Sequence, residues 1–522
     1  MRQPARTKGV RRQVSRTLSL PAPVGGWNAR DPLPEMDPKD AVKLDNWFPI
    51  PSEVQIRKGS ESWVTGFDGP AETLMAYQTG TASKLFAVVD VGATAEIYDV
   101  TTQDVDGTPP TADVTSLTNA RFQYVNFSTS GGSFLLAVNG ADKMRIYTGS
   151  AWDADGGGTY TVTNVDTADC IHINMHMRRI WLIEDGKLVA WYLPVNSIAG
   201  AASSYDFRSI FPRGGYLMAM ETWTLDAGQG LDDHAVFLTS EGEIAVFKGT
   251  DPSSASTWSL VGVFYAGKPI GRRCIVKMGG DMLLICQEGL LAFSKSLMSS
   301  RVNTKSAISD KIQSAVSDAT TIYGSNFGWQ ILPYPSENML IMNVPTSSTV
   351  SHQYVMNTIS GAWCRFLDWN ALCWAEFNGE IYYGGTTSVV KAWTGYNDDG
   401  LNIQGSVQQA YSYFGSQRQK HWKAARPIIR ADTRPGLVVG LNVDYEETVP
   451  TATPTFSELD AGVWDTATWD SGVFGGDYTV YKDWITTTGI GYAGALHIKN
   501  ASNGNKCAWA STDFLLEDGA VI

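Results

Sequence analysis

The chain is 522 residues long, 43% hydrophobic and 18% charged, with 51 glycines, 18 tryptophans and a formal charge of −13. Such a length admits about two to four average domains, or one repeat-built domain with a smaller companion, and the balance of apolar and charged residues excludes wholesale disorder. No apolar run reaches the roughly 18 to 20 residues that span a bilayer, and the six scattered cysteines form no C-x-x-C pair, so neither a zinc site nor a disulfide framework is indicated.

Residues 1–17 carry Arg2, Arg6, Lys8, Arg11, Arg12 and Arg16 and no acid. The apolar stretch after them, residues 18–24, is short and cut by Pro21 and Pro23, which argues against an export signal. Next comes GGWNARDPLPEMDPKDAVKLDNWFP, residues 25–49, stiffened by prolines and bracketed by Trp27 and Trp47. Fixed φ angles lower the cost of ordering an extended segment against another surface. Residues 1–59 therefore predict an extended arm, basic at its start, which contributes contacts rather than core.

From residue 60 to 400 the sequence reads as strand after strand: ETLMAYQ, KLFAVVD and AEIYDVT, then ARFQYVNFS, SFLLAVNG and KMRIYTG, and onward to LCWAEFNGEIYYGG. Each run is apolar, rich in β-branched or aromatic residues, and closed by Gly, Asn, Asp or Ser. Three or four strands recur with a loose period of about 40 to 50 residues, the cadence of propeller blades. The fold class expected is all-β, with a β-propeller-like domain of about five to seven blades. One short helix is expected within SDKIQSAVSDATTIYG, with Ser309 as its cap and Ile312, Ala315 and Val316 on one face.

Residues 401–522 predict a C-terminal β-rich domain. Its two Trp-Asp dipeptides, at Trp464 and Trp469, lie too close together for a repeat that places one pair per blade. SQRQKHWKAARPIIRADTR supplies Arg418, Lys420, Lys423, Arg426, Arg430 and Arg434 around Trp422. That segment suits either phosphate contacts or a face toward an acidic neighbouring subunit, and the acidic chain favours the second. Residues 436–522 hold three lysines against twelve acids, a net of −9.

Catalytic signals are weak. His172 and His176 have metal-ligand spacing for a helix, but their surroundings alternate like a strand, which would hold them about 13 Å apart. DADGGG (153–158) and NDDG (397–400) lack the spaced ligands of a calcium loop and read as turns. Neither a nucleophile elbow nor a phosphate loop is present. No catalytic, cofactor-binding or metal-ligating residue is assigned, and the chain is not expected to be an enzyme.

The run from residue 25 to 63, with Gly26, Trp27 and Asn28, then ARDPL, DPKDAVKLDNWFP and VQIRKG, resembles the start of tail nozzle, tail hub and head-completion (stabilisation) proteins of short-tailed bacteriophages, the podoviruses. The similarity extends to GAWCRFLDWNALCWAEFNGEIYYGG and to the ending GIGYAGALHIKNASNGNKCAWASTDFLLEDGAVI. The resemblance implies a structural virion protein, assembled in the host cytoplasm, without a cofactor or a membrane anchor. It further implies a homo-oligomeric ring, typically a hexamer, joined through an adaptor to the portal, carrying fibres or spikes and passing double-stranded DNA during ejection. In that setting the arm cations with Trp27 and Trp47, and the strand cations Arg418, Lys420, Lys423 and Arg426, are expected at subunit or adaptor contacts. Glu446, Glu447, Asp465 and Asp470 are expected to face the channel, since a basic bore would retain DNA through counterion release. The rival reading is a tail receptor-binding or glycan-degrading propeller. A sialidase-type propeller would show S-x-D-x-G-x-T-W turns, of which SSASTWS keeps only the end.

Overall fold

The computed structural model describes residues 15–80, 82–226, 231–296, 307–454 and 479–519. These fall into two compact units, one within residues 58–361 and 366–395, the other within residues 1–57, 362–365 and 396–522. Both are all-β. Among the described residues no helix is long and apolar enough to cross a membrane.

The first unit is a β-propeller. Six of its blades are separate sheets, whose first strands are Ala71–Gln78, Gln123–Thr129, Cys170–His176, Leu217–Asp226, Ile275–Met278 and Cys373–Phe377. A further meander, Gln330–Tyr334, Met339–Pro345 and Ser351–Asn357, takes a place in the ring between the last two of these. The final blade is completed by Gly59–Thr65, which pairs antiparallel with Ser388–Thr394 and so ties the two ends of the unit together.

The blades stack by alternation along each strand. In Ser83–Asp90, Leu85, Ala87 and Val89 turn toward Val64, Phe377 and Val389 of the final blade, whereas Phe86 and Val88 turn toward Leu135 and Tyr147 of the second. One blade on, Leu136 and Val138 meet Ile180 and Leu182, and the alternate residues Trp181 and Ile183 meet Phe237 and Phe247 of the next. Successive side chains of a strand point to opposite faces, and here both faces are covered. KLFAVVD accordingly reads as an unbroken apolar run. Each such side chain contributes roughly 1.5–3 kcal/mol on burial.

Turn chemistry fits the same plan. Cys373–Phe377 and Glu380–Gly384 are joined by Asn378 and Gly379, both at positive φ (52° and 80°), the backbone a two-residue hairpin needs to match strand twist. The helix expected over 309–324 runs Gln313–Tyr323. Ser309 does not cap it. A 3-10 turn, Asp310–Ile312, intervenes, and the buried Ser309 hydroxyl accepts a hydrogen bond from the Leu290 amide at 3.0 Å.

The second unit contains the expected C-terminal domain together with the described part of the expected arm. One sheet centres on Lys420–Ala431 and Cys507–Asp518, flanked by Arg16–Pro21, Val54–Ile56, Trp47–Pro49, Thr479–Tyr481 and Ile485–Gly491. In a second, Asp40–Asp45 pairs antiparallel with Ile403–Gln409, which continues to Gly494–Ser502 and Gly436–Val443. Residues 16–56 thus supply strands and core, not a detached extension. Trp47 is fully buried, edge-on to Trp509 with ring centroids 6.4 Å apart. It lies over Gly405, where an added Cβ would come within 2.4 Å of the indole nitrogen.

The proline-rich opening folds on itself through Asn28. Its amide donates to Asp31 and Asp40 at 2.9 and 2.8 Å, and its oxygen accepts from the Arg30 and Asp31 amides. Arg57 follows the strand Val54–Ile56, and its guanidinium is wholly buried. Arg57 forks onto Asp398 at 2.9 and 2.6 Å and donates from Nε to Asn46 at 3.0 Å. The NDDG turn therefore holds an arginine.

Candidate functional site

Arg2, Arg6, Lys8, Arg11 and Arg12 lie outside the described residues, as do Asp465, Asp470 and the two Trp-Asp dipeptides. The remaining expected contact residues are largely taken up inside the chain. Arg16 pairs with Asp518 at 2.9 Å across neighbouring strands. Trp27 is buried beneath the Arg365 guanidinium, 5.6 Å from the ring centroid, and Arg365 is itself forked onto Asp45 at 2.8 and 2.9 Å. The rings of Trp27 and Trp47 are thus core groups of their own unit.

The basic strand is neutralised residue by residue. Lys423 meets Glu517 at 2.6 Å, Arg426 meets Asp513 at 2.6 Å, Arg430 meets Glu53 at 2.6 Å and Arg434 meets Asp483 at 2.8 Å. The first two acids belong to Cys507–Asp518, the antiparallel neighbour of the basic strand. Lys420 is buried and donates from Nζ to the carbonyls of Ser416, Arg418 (2.8 Å) and Tyr492 (2.9 Å), and burial lowers its pKa. Arg418 alone of the four expected strand contacts is exposed. The complementarity expected between subunits operates here within one sheet.

Glu446 and Glu447 are exposed in the loop after Gly436–Val443. Tyr411 donates to the Glu446 carbonyl at 2.9 Å, and burial, with Glu447 nearby, pushes its phenol up to about 12. In the same unit Trp484, Ile490 and Tyr492 are exposed, and Arg426 covers one face of Trp484 at 4.8 Å. In the propeller, the outer strand Trp258–Tyr265 exposes Leu260, Val261, Val263 and Tyr265.

His172 and His176 share a strand and turn toward the next blade. His172 Nε2 lies 2.9 Å from the Met220 carbonyl, while His176 lies 3.1 Å from the Thr222 hydroxyl and 3.3 Å from the Gly249 carbonyl. Burial lowers both pKa values, that of His176 to about 4. Among the described residues no group of three or more His, Cys, Asp or Glu is placed to hold a metal ion. The six cysteines are free and buried, as their apolar settings predict.

Sequence reasoning missed the centre of the propeller. The first strands of the blades and of the meander converge on an axial cavity of about 270 Å³, lined by Thr73, Tyr124, His172, Glu221, Gln330 and Trp374 among others. A larger one of about 490 Å³ shares Gln123, Arg272 and Arg273 with it and also takes in Glu72, Arg121 and Phe327. Arg121 forks onto Glu72 at 2.9 and 3.0 Å. Arg273 donates from Nη2 to the Thr73 hydroxyl at 2.7 Å and to the carbonyls of Glu72 and Phe122 at 3.1 and 3.2 Å. The Phe327 ring centroid lies 4.3 Å from the guanidinium of Arg121 and 5.3 Å from that of Arg273. These residues are scattered over some 250 positions of sequence, and no local motif joins them.

The fold thus defines an all-β propeller protein with further β-sheets outside the propeller. No protein-family model matches the chain, and no curated protein matches it. Among solved structures it is similar to the β-propeller domain of Cps50 (Swd1) from Myceliophteria thermophila, at 9% identity over 65% of this chain and 98% of that one, with a TM-score of 0.39. It is also similar to Raptor of Chaetomium thermophilum (10% identity, 64% of this chain, TM-score 0.34), of whose length it covers 29%. A third likeness is to the structure of BBS1N in complex with ARL6DN, at 13% identity over 46% of this chain and 74% of that one, with a TM-score of 0.28. At these identities and scores the likeness carries no argument about activity or partners.

Proposed function

We propose that this chain is a non-enzymatic structural subunit of the nozzle or hub ring of a short bacteriophage tail. In this reading it is held in the virion below the portal adaptor, carries fibres or spikes, and passes double-stranded DNA during ejection. The observation that carries the reading is the resemblance of residues 25–63 and of the C-terminal segment to those tail proteins. Residues of the matching segments depend on one another in the fold: Trp47 packs on Trp509, and Asn28 holds Asp40.

Two surface features suit a ring. The strand Trp258–Tyr265 exposes Leu260, Val261, Val263 and Tyr265, and Ile490 and Tyr492 are exposed in the second unit, apolar surface of the kind that subunit contacts cover. Two different patches on one subunit also fit the head-to-tail contacts from which closed rings are built. Imaging of the virion tail tests the proposal. The expected result is a closed ring of this chain, six copies in the family's usual arrangement, beneath the adaptor. A single copy per tail, or copies without rotational symmetry, would overturn it.

A further inference from the structure

The larger cavity, which adjoins the axial one through Arg272 and Arg273, holds a cation without an anion of its own. Arg273 spends one nitrogen, Nη2, on three acceptors, which fixes the guanidinium plane. Among the described residues no carboxylate lies within ion-pair distance of it, and its Nε and Nη1 groups have no protein acceptor. The carboxylate of Glu72 is already forked onto Arg121. Burial pulls the Arg273 pKa below its ordinary value, yet a guanidinium remains protonated in proteins. Arg273 is half-buried, so its remaining donors open onto the cavity. Arg272 adds a second guanidinium on the same wall, held only loosely by Asp185 at 3.8 Å. The lining holds three arginines against Glu72 and Asp90, so it is net positive in a chain whose formal charge is −13.

We propose that this cavity is a binding site for a small polar ligand bearing one anionic group, a carboxylate or a phosphate monoester, which is received by Arg273 and Arg272. With Nη2 engaged, Arg273 can offer an anion one further charge-assisted donor, Nε or Nη1, which lie on opposite edges of the guanidinium, and Arg272 supplies the second cation. Phe327 gives the body of the ligand an apolar surface, held in place by its contacts with the two guanidinium groups. Asn119, Asn139 and Thr118 supply amide and hydroxyl groups around the rim. A volume of about 490 Å³ lies in the range of small-molecule sites. The proposal does not rest on the tail reading and would stand if that reading failed.

Titration calorimetry of the full chain at low ionic strength, with D-glucuronate, glucose 6-phosphate and D-glucose, provides the test. The three share a sugar frame, so the two acids separate carboxylate from phosphate and glucose reports the frame alone. One or both acids should bind one per chain, at least about tenfold more tightly than glucose. Arg273→Gln should weaken binding about tenfold or more, and Arg418→Gln, in the other unit, should not change it. If Arg273→Gln does not fold, Arg272→Gln and Phe327→Ala decide, because both leave the three bonds of Arg273 in place. Weakened binding in either supports the site. The proposal is overturned if neither acid binds, if glucose binds as well as the acids, or if Arg272→Gln and Phe327→Ala both keep wild-type affinity.

Discussion

At Arg57 a buried charge is tolerated because Asp398 and Asn46 meet the guanidinium with good geometry. Removing only the acid should be severe. Asp398→Ala leaves the cation enclosed and is expected to lower the stability of its unit by about 3–5 kcal/mol, whereas Arg57→Met with Asp398→Leu should cost much less, since apolar replacement of a whole buried pair is often near neutral. Urea unfolding followed by tryptophan fluorescence measures both, and equal losses would show that the pair acts through packing alone. His176 sets a pH dependence in the propeller. Its folded pKa, lowered to about 4 by burial, lies below the unfolded value near 6.5. Between those values the unfolded chain binds the extra proton, so the stability from a neutral His176 is present above about pH 6.5 and is lost as pH falls toward 4, on the order of 3 kcal/mol in all. His176→Gln should flatten that part of the stability–pH curve, and an unchanged slope would assign it to other groups. Neither role was legible in sequence. Arg57 and Asp398 are 341 positions apart, and the H-x-x-x-H spacing drew attention to metal binding when the rings serve to join two blades.

At the scale of elements, the strand Asp40–Asp45 marks where the reading of an arm meets a limit. Its prolines make the run 25–49 read as extended and external. In the fold Asp40 and Asp45 are buried and bonded within the unit, and the strand pairs with Ile403–Gln409. Polar residues that serve as buried hydrogen-bond hubs are indistinguishable, one by one, from solvated ones. Removing residues 1–14 deletes no described strand and should leave the melting temperature unchanged. Removing residues 1–50 takes out Asp40–Asp45 and Trp47 and should unfold the second unit while the propeller still melts cooperatively. Calorimetry of the two truncated chains checks this, and a two-transition melt like that of the full chain after the longer deletion would return the segment to the status of a docked arm. The basic strand was legible as a charged face. What escaped was its partner, because strand neighbours such as Lys420–Ala431 and Cys507–Asp518 are set by topology and not by proximity in sequence.

For the molecule as a whole, the blade cadence was visible because each strand is buried on both faces and closed by turn residues, so apolar runs and glycines recur together. The central cavity was not visible, since a ring brings one or two residues from each blade to the axis and leaves no motif. Charge balance shows the same limit. Of the acids behind the −9 excess in residues 436–522, Asp483, Asp513, Glu517 and Asp518 are each paired with an arginine or lysine. Asp444 accepts the amides of Tyr492 and Ala493. Glu458, Asp460, Asp465, Asp470 and Asp477 lie outside the described residues, and among the described ones Glu446 and Glu447 are the exposed pair in a loop that remain to act on a passing polyanion. If the chain forms the tail channel as proposed, converting both to lysine should leave particle assembly intact and slow genome ejection, because each new phosphate contact adds affinity by releasing counterions. The defect should shrink as salt rises, with affinity falling by roughly 0.9 log unit per log unit of salt for each phosphate engaged. Ejection from purified particles, wild type against the double variant at two salt concentrations, measures it. Equal rates at low salt would place the loop away from the DNA path and reduce the acidic balance to a matter of solubility.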